Sequence, residues 1–308
     1  MTSSFNPPAP LQTAVLFLVF NRPDTTAQVF EAIRQAKPPR LYVAADGPRV
    51  NREGEAERVA RVREIATAVD WPCEVKTLFR EKNLGCKYAV SGGITWFFEQ
   101  EEQGIILEDD CLPSQSFFWF CEELLERYRQ DEQIFIISGY NKQQSWHPER
   151  YDYFFSNFGG IWGWASWRRA WKHLDLEMKD LEKLAEQGFF EKLLGRRLGK
   201  LRKNQLLSAK KKIDSGQMNT WGYPWAYSRH KNFGIACVPS GSLIENIGFG
   251  IGATHTTSGN DKITRMEVSF PLSVNKSVAP DHRYDQLFIQ HRLLKMVKNK
   301  VSRLLFKK

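Results

Sequence analysis

Gly104-Ile105-Ile106-Leu107-Glu108-Asp109-Asp110-Cys111-Leu112 sets three consecutive acids directly behind an apolar run of strand length. Such a run reads as a buried parallel strand that delivers its carboxylates to its own C-terminal end, the edge at which open α/β sheets bind ligands. Packed carboxylates repel one another unless a cation sits among them. Carboxylate oxygen donors favour a hard divalent ion, Mg²⁺ or Mn²⁺, and the chemistry expected is a metal holding a diphosphate. The alternative is a solvated acidic loop with Asp110 near the start of the next helix.

The preceding chain supplies elements to position these acids. Ala14 to Phe20 is an apolar run of strand length that stops at Asn21-Arg22-Pro23-Asp24. A helix capped by Asp24 or Thr25 follows to about Lys37, with Val29, Ile33 and Ala36 at helical spacing, and Pro38-Pro39 ends it. Leu41 to Ala45 makes a second strand, again ending in an acid and a turn at Asp46-Gly47-Pro48. A polar helix over about 51–69 precedes a strand at Glu74–Phe79, and Arg80 to Gly85 is a loop before a helix from about Tyr88 to Gln100. Beyond the acids, a helix from about Ser116 to Arg129 leads into a strand at Ile134–Gly139. This β-α-β order predicts a parallel sheet with helices on both faces, and it brings Asn21-Arg22, Asp46-Gly47 and Glu108-Asp109-Asp110 to one crevice. No glycine-rich phosphate loop follows the first strand, which argues against a dinucleotide oxidoreductase or a P-loop NTPase.

The second half differs. Phe158-Gly159-Gly160-Ile161-Trp162-Gly163-Trp164-Ala165-Ser166-Trp167 alternates small residues with indoles. This predicts a ligand wall that the backbone can approach closely, with ordinary core as the alternative. Asp175 to Lys212 reads as charged helix with a solvated face. Trp221 opens a helix to about Lys231, Gly234–Val238 reads as a strand, and Glu245 to Thr256 is a glycine-rich loop containing His255, whose imidazole could reach a metal or diphosphate.

The composition sets the outer limits. With 308 residues, 42% hydrophobic and 26% charged, the chain has ample material for a globular core, and disorder as the main state is excluded. A net charge of +9 implies an anionic partner. Nucleic acid is the weaker choice, because the lysine-rich and tryptophan-rich stretches are separate and acids crowd the crevice. Five cysteines without a C-x-x-C pair point to a reducing compartment, and Met1–Pro10 lacks the features of a secretory signal, so a cytoplasmic location is expected. The organisation expected is a disordered segment at 1–12, one domain over 13–286 with halves at 13–145 and 146–286, and a basic amphipathic helix at 287–308. That helix could lie on an anionic membrane or simply pack on the domain.

The ordered set Phe20-Asn21-Arg22-Pro23, Ala45-Asp46-Gly47, Asn83-Leu84-Gly85, Ile106-Leu107-Glu108-Asp109-Asp110, Gly160-Ile161-Trp162-Gly163-Trp164 and Asn246-Ile247-Gly248-Phe249-Gly250 resembles nucleotide-sugar glycosyltransferases of the GT-A fold. Within these it is similar to bacterial glycosyltransferase-2-like proteins, with an acidic motif like the N-acetylglucosaminyltransferase I type. The resemblance spans about residues 14–257. It implies a GT-A-like α/β sheet with a C-terminal helical and loop extension, and metal-assisted, inverting transfer from a nucleotide diphosphate sugar to a glycan or lipid-linked acceptor. It also implies nucleotide contacts at Asn21, Arg22, Asp46, Asn83, Gly85, Glu108 and Asp109. Metal ligation would fall to Asp110 and His255, and sugar or acceptor contacts to Trp162, Gly163, Trp164 and Trp221. The family pattern carries an acid after the last of these tryptophans, the expected base, where this chain has Gly222. Asp214 and Glu245 are the nearest acids in sequence that could replace it, and a catalytically degenerate sugar-nucleotide binder or scaffold is the alternative.

Overall fold

A computed structural model describes residues 5–147, 149–248, 263–273 and 277–289. The first half follows the expected alternation: β1 (Val15–Val19), α1 (Pro23–Ala36), β2 (Arg40–Ala45), α2 (Glu55–Ala66), β3 (Glu74–Phe79), α3 (Gly85–Gln100) and β4 (Gln103–Glu108). A short β5 (Cys111–Pro113) then leads to α4 (Ser116–Arg127) and β6 (Ile134–Ser138). The second half runs β7 (Tyr153–Ser156), β8 (Trp164–Trp167), α5 (Arg168–Trp171), α6 (Leu181–Glu186), α7 (Phe189–Leu194), α8 (Arg196–Asp214), α9 (Gly222–Lys231), β9 (Ile235–Pro239) and β10 (Ile244–Asn246).

Eight strands form one mostly parallel sheet in the order β3-β2-β1-β4-β8-β6-β9-β7. The four strands at one side are parallel, and β8 and β7 run against their neighbours. Because a strand alternates its side chains, β1 sends Val15, Phe17 and Val19 to one face and Leu16 and Leu18 to the other. The first face is covered by α1, α2 and α4 through Val29, Ile33, Val62 and Phe117. The second is covered by α3, α5 and α9 through Ile94, Phe97, Trp171 and Trp225. Both faces being buried explains why β1 reads as an unbroken apolar run.

The Gly-Trp stretch corrects the sequence expectation. Trp164 and Trp167 belong to β8, which is hydrogen-bonded between β4 and β6 in the middle of the sheet. The same alternation puts Trp164 in one core layer and Trp167 in the other. Trp164 is 0% exposed and stacks on Trp221 at 5.8 Å between centroids, with Trp221 itself 2% exposed. Neither can wall a sugar pocket. Gly163 has φ +58, and a Cβ there would run into Ile244 and Leu107, so this glycine serves the close seating of the small β5-β10 sheet on β4.

Further differences lie at the ends and in the charged helix. Residues 5–12, expected to be disordered, pack on α4: Phe5 meets the Trp119 ring at 5.3 Å, Leu11 is buried, and Trp119 Nε1 donates to Ala9 O at 2.7 Å. Aromatic contacts outweigh the polar, proline-rich composition of that segment. The Asp175–Lys212 helix is divided into α6, α7 and α8 at Gly188 and Gly195. A helix covers 282–289, crossing the expected boundary at 287, and most of the expected basic amphipathic helix, residues 290–308, lies outside the described residues. Among the described residues no helix is long and apolar enough to cross a membrane.

Gly163→Ala combines a left-handed backbone with overpacking, and we expect a loss of about 2–4 kcal/mol in urea unfolding. A change within error would show that the β10 seat is loose.

Candidate functional site

The C-terminal ends of β2, β1 and β4 lie side by side, with Val19 opposite Ala45 and Leu18 opposite Glu108. The residues that follow each strand therefore meet along one edge of the sheet, where the sequence predicts a crevice. Its centre is an arginine held by two acids. Arg22 Nη2 lies 2.5 Å from Asp109 Oδ1 and 3.1 Å from Asp110 Oδ2. The other Asp109 oxygen accepts the Phe20 N–H at 3.1 Å. Arg22 is also the N-cap residue of α1, so this cluster ties the β1-α1 corner to the end of β4.

Burial works against the charges of Glu108, Asp109 and Arg22. It pushes Asp109 upward, with Arg22 opposing the shift and Asp110 adding to it. It pushes Glu108 upward more strongly, assisted by Asp110 and Asp109. The same burial opposes the Arg22 charge, but Asp109 and Asp110 outweigh it and keep the guanidinium firmly protonated. Among the described residues no hydrogen bond reaches the Glu108 carboxylate.

The small β5-β10 sheet closes this cluster from the other side. Cys111 pairs with Asn246 across the two strands, and Ile247 N donates to Asp110 O at 2.8 Å. A Cβ on Gly248 would collide with Asp110 Oδ2 and Arg22 Nη1. The Asn246-Ile247-Gly248 turn thus sits directly on the acid and the guanidinium, and the chain continues from it towards His255, which lies outside the described residues.

The Asp46 and Asn83 motifs form a second unit. Asp46 Oδ1 accepts from Gly47 N at 3.0 Å and Leu84 N at 2.9 Å, and Oδ2 accepts from Leu84 N at 3.1 Å and Gly85 N at 3.0 Å. Asn83 Nδ2 donates to Gly47 O at 2.8 Å. Expected as nucleotide contacts, Asp46 and Asn83 lock the β2 corner to the start of α3, and Gly85 fits tightly against Asn219. Asn21 also turns inward, donating to Glu55 Oε1 at 2.8 Å. Arg49 side-chain hydrogen bonds hold the Glu55 carboxyl down at about 2 against its burial.

Three residues here carry no motif signal: Glu55, Arg49 and Cys86. The Cys86 thiol is pushed up to about 12 by burial and then by Glu108, Asp46 and Asp110. Only its place at the start of α3, next to Gly85, hinted at this.

The remaining expected residues scatter. Trp162 is half-buried against Tyr140, 4.7 Å between ring centroids, and of the tryptophans assigned to the sugar pocket it is the one left near the surface. Gly222 begins α9, where a Cβ would meet Ile161 Cδ1 at 2.9 Å, so position 222 borders the Trp162 loop but offers no proton acceptor. Asp214 ends α8 and pairs with Lys210 at 3.0 Å. Glu245 lies on β10, opposite Leu112 and close in chain to the turn over Asp110.

Among the described residues, no group of three or more His, Cys, Asp or Glu side chains is arranged to hold a metal. A hard divalent ion that keeps water and substrate phosphate oxygens needs only one or two carboxylates. Asp110 is the candidate for that role: its side chain is 18% exposed, with Oδ2 3.1 Å from Arg22 Nη2 and Oδ1 accepting from the Cys111 thiol at 3.3 Å.

No family model and no curated protein matches this chain. Among solved structures, UDP-glucose pyrophosphorylase complexed with UDP-glucose is similar at 11% identity and a TM-score of 0.25, over 42% of this chain and 56% of that one. The shared part thus spans little over half of that protein's length.

Asp46→Asn would set an amide N–H₂ against backbone donors while preserving shape. We expect it to cost about 1–3 kcal/mol in chemical denaturation, because buried N–H groups lose their acceptor. Unaltered stability would mean that the corner does not depend on this carboxylate.

Proposed function

We propose that the chain is a GT-A-type glycosyltransferase that binds a nucleotide diphosphate sugar in the crevice and passes the sugar to a hydroxyl of a glycan or lipid-linked acceptor. The observation that supports this best is the meeting of three parallel strand ends at Arg22, Asp109 and Asp110, with a glycine turn seated on them. That arrangement leaves a charged, partly open floor at the edge where such sheets take ligands. The ordered motif set described above supplies the specific chemistry.

In this reading the β2-α3 corner, fixed by Asp46 and Asn83, borders the base and ribose, and Asp109 holds Arg22 and the β1 corner in place. Asp110 would hold a Mn²⁺ or Mg²⁺ ion, with His255 as a further ligand. Such an ion, when bound, supplies positive charge to the leaving diphosphate. The acceptor oxygen forms its bond to the anomeric carbon as the bond to the diphosphate oxygen breaks, and the nucleotide leaves with that electron pair. A base must take the acceptor proton. Between Asp214 and Glu245 we favour Glu245, because β10 is hydrogen-bonded to the segment immediately after Asp110. Trp162 and the Ile161–Gly222 contact would border the sugar or acceptor.

Calorimetric titration of UDP, GDP, CDP and dTDP with and without Mn²⁺ is expected to show metal-dependent binding of one nucleotide, weakened at least about tenfold in Asp110→Ala. Failure of all four to bind would overturn the reading. Glu245→Gln should lower kcat about a hundredfold or more while leaving nucleotide affinity unchanged. Nucleotide binding without turnover by the unaltered chain would instead identify a sugar-nucleotide binder.

A further inference from the structure

The α7-α8 junction carries a cavity of about 250 Å³, below the usual volume of a small-molecule site. Leu194, Leu198 and Leu201 line it together with Arg196, Arg197 and Gln286. Its wall is anchored to the body by a separate apolar cluster of Phe158, Leu194, Leu198 and Ile289. Phe288, next to Ile289, stacks on Phe158 with ring centroids 5.3 Å apart. The last described residue, Ile289, therefore lies at this same junction.

The charge at this face is one-sided. Helix α8 carries eight Lys or Arg and one acid, Asp214. Several of these cations are used internally: Arg202 donates to His230, Lys203 pairs with Glu191 and Lys210 pairs with Asp214. Arg196, Arg197 and Lys200 are exposed, and among the described residues none of the three makes an ion pair. The 290–308 sequence adds seven Lys or Arg and no Asp or Glu, together with Leu293, Leu294, Met296, Val297 and Val301. Like charge argues against that segment as the occupant of a cavity rimmed by Arg196 and Arg197. It favours an anionic partner covering both.

We propose that this face docks on an anionic phospholipid bilayer, with Arg196, Arg197 and Lys200 at the headgroups and the leucine-lined cavity receiving apolar material from the interface. A basic rim around an apolar recess matches a surface on which anionic headgroups lie over acyl chains. A nucleic acid offers phosphates but no aliphatic segment for the recess, and the exposed face of α8 interleaves no aromatic residues with its cations. The docking surface uses none of the crevice residues, so it stands or falls independently of sugar transfer.

The test is co-sedimentation of the full chain with vesicles of phosphatidylcholine, with and without about one third phosphatidylglycerol. Each basic residue close to such a surface contributes roughly fivefold in partition, and the contribution is screened by salt. The full chain is expected to bind the phosphatidylglycerol vesicles and to be released at high salt. Arg196→Glu/Arg197→Glu should lower the partition at least about tenfold with residues 290–308 still present, and Arg196→Gln/Arg197→Gln should lower it to a lesser degree. Circular dichroism melting of each variant controls for folding. The proposal is overturned if the full chain ignores phosphatidylglycerol, if well-folded glutamine and glutamate variants bind as the original does, or if a single-stranded oligonucleotide binds more tightly and displaces the vesicles.

Discussion

The clasp of Arg22 by Asp109 and Asp110 is the constraint on which the crevice depends. Three consecutive acids at the end of a buried strand cannot all stay ionised without a nearby cation, and burial strengthens that requirement. The cation comes from the corner of a different strand, so β4 must lie beside β1, and in parallel. A guanidinium suits this task because its planar fork reaches two carboxylates at once and keeps its proton when buried. The turn at Gly248 then seats on the pair, which brings the end of β10 to the corner of the first strand.

Around that centre, residue types that would suit a ligand are often used by the protein itself. Asp46 satisfies three backbone N–H groups, Asn83 holds Gly47, and Asn21 holds Glu55. A buried donor left without an acceptor costs about 1–3 kcal/mol, so these bonds fix the corners firmly. A rigid rim is what a binding crevice needs, because positioning a ligand relies on side chains that are themselves held. The tryptophans show the same economy: Trp164, Trp171, Trp221 and Trp225 pack on one another in the core behind the crevice.

The positive charge is divided between two regions with different physics. In the crevice Arg22 is neutralised by Asp109 and Asp110, and the local balance is acidic. The α7-α8 junction and the segment beyond it carry the excess, in a region where several cations face solvent. The overall charge of +9 therefore says little about the crevice. It describes the second half of the chain, where basic residues outnumber acidic ones.

Much of the first half was legible because its signals are local. Apolar runs of strand length, helical spacing at Val29, Ile33 and Ala36, and acids directly after strands placed β1, β2, β4 and the crevice edge close to where they are. A sheet buried on both faces writes itself as continuous apolar sequence, and the β-α-β order then settles neighbours and direction. The Gly-Trp stretch was misread because glycines beside indoles suit a ligand wall and a tightly packed strand equally well. Which it is depends on β4 and β6 flanking it. Tertiary structure alone decided that Trp164 is core and Trp162 is not, that Asn21 turns to Glu55, and that burial, Glu108, Asp46 and Asp110 push the Cys86 thiol up. It also decided that Cys111 pairs with Asn246 and so carries Gly248 onto Asp110. Each of these joins residues far apart in the chain, and such contacts are selected by complementary shape and charge after the elements pack, which no local pattern records.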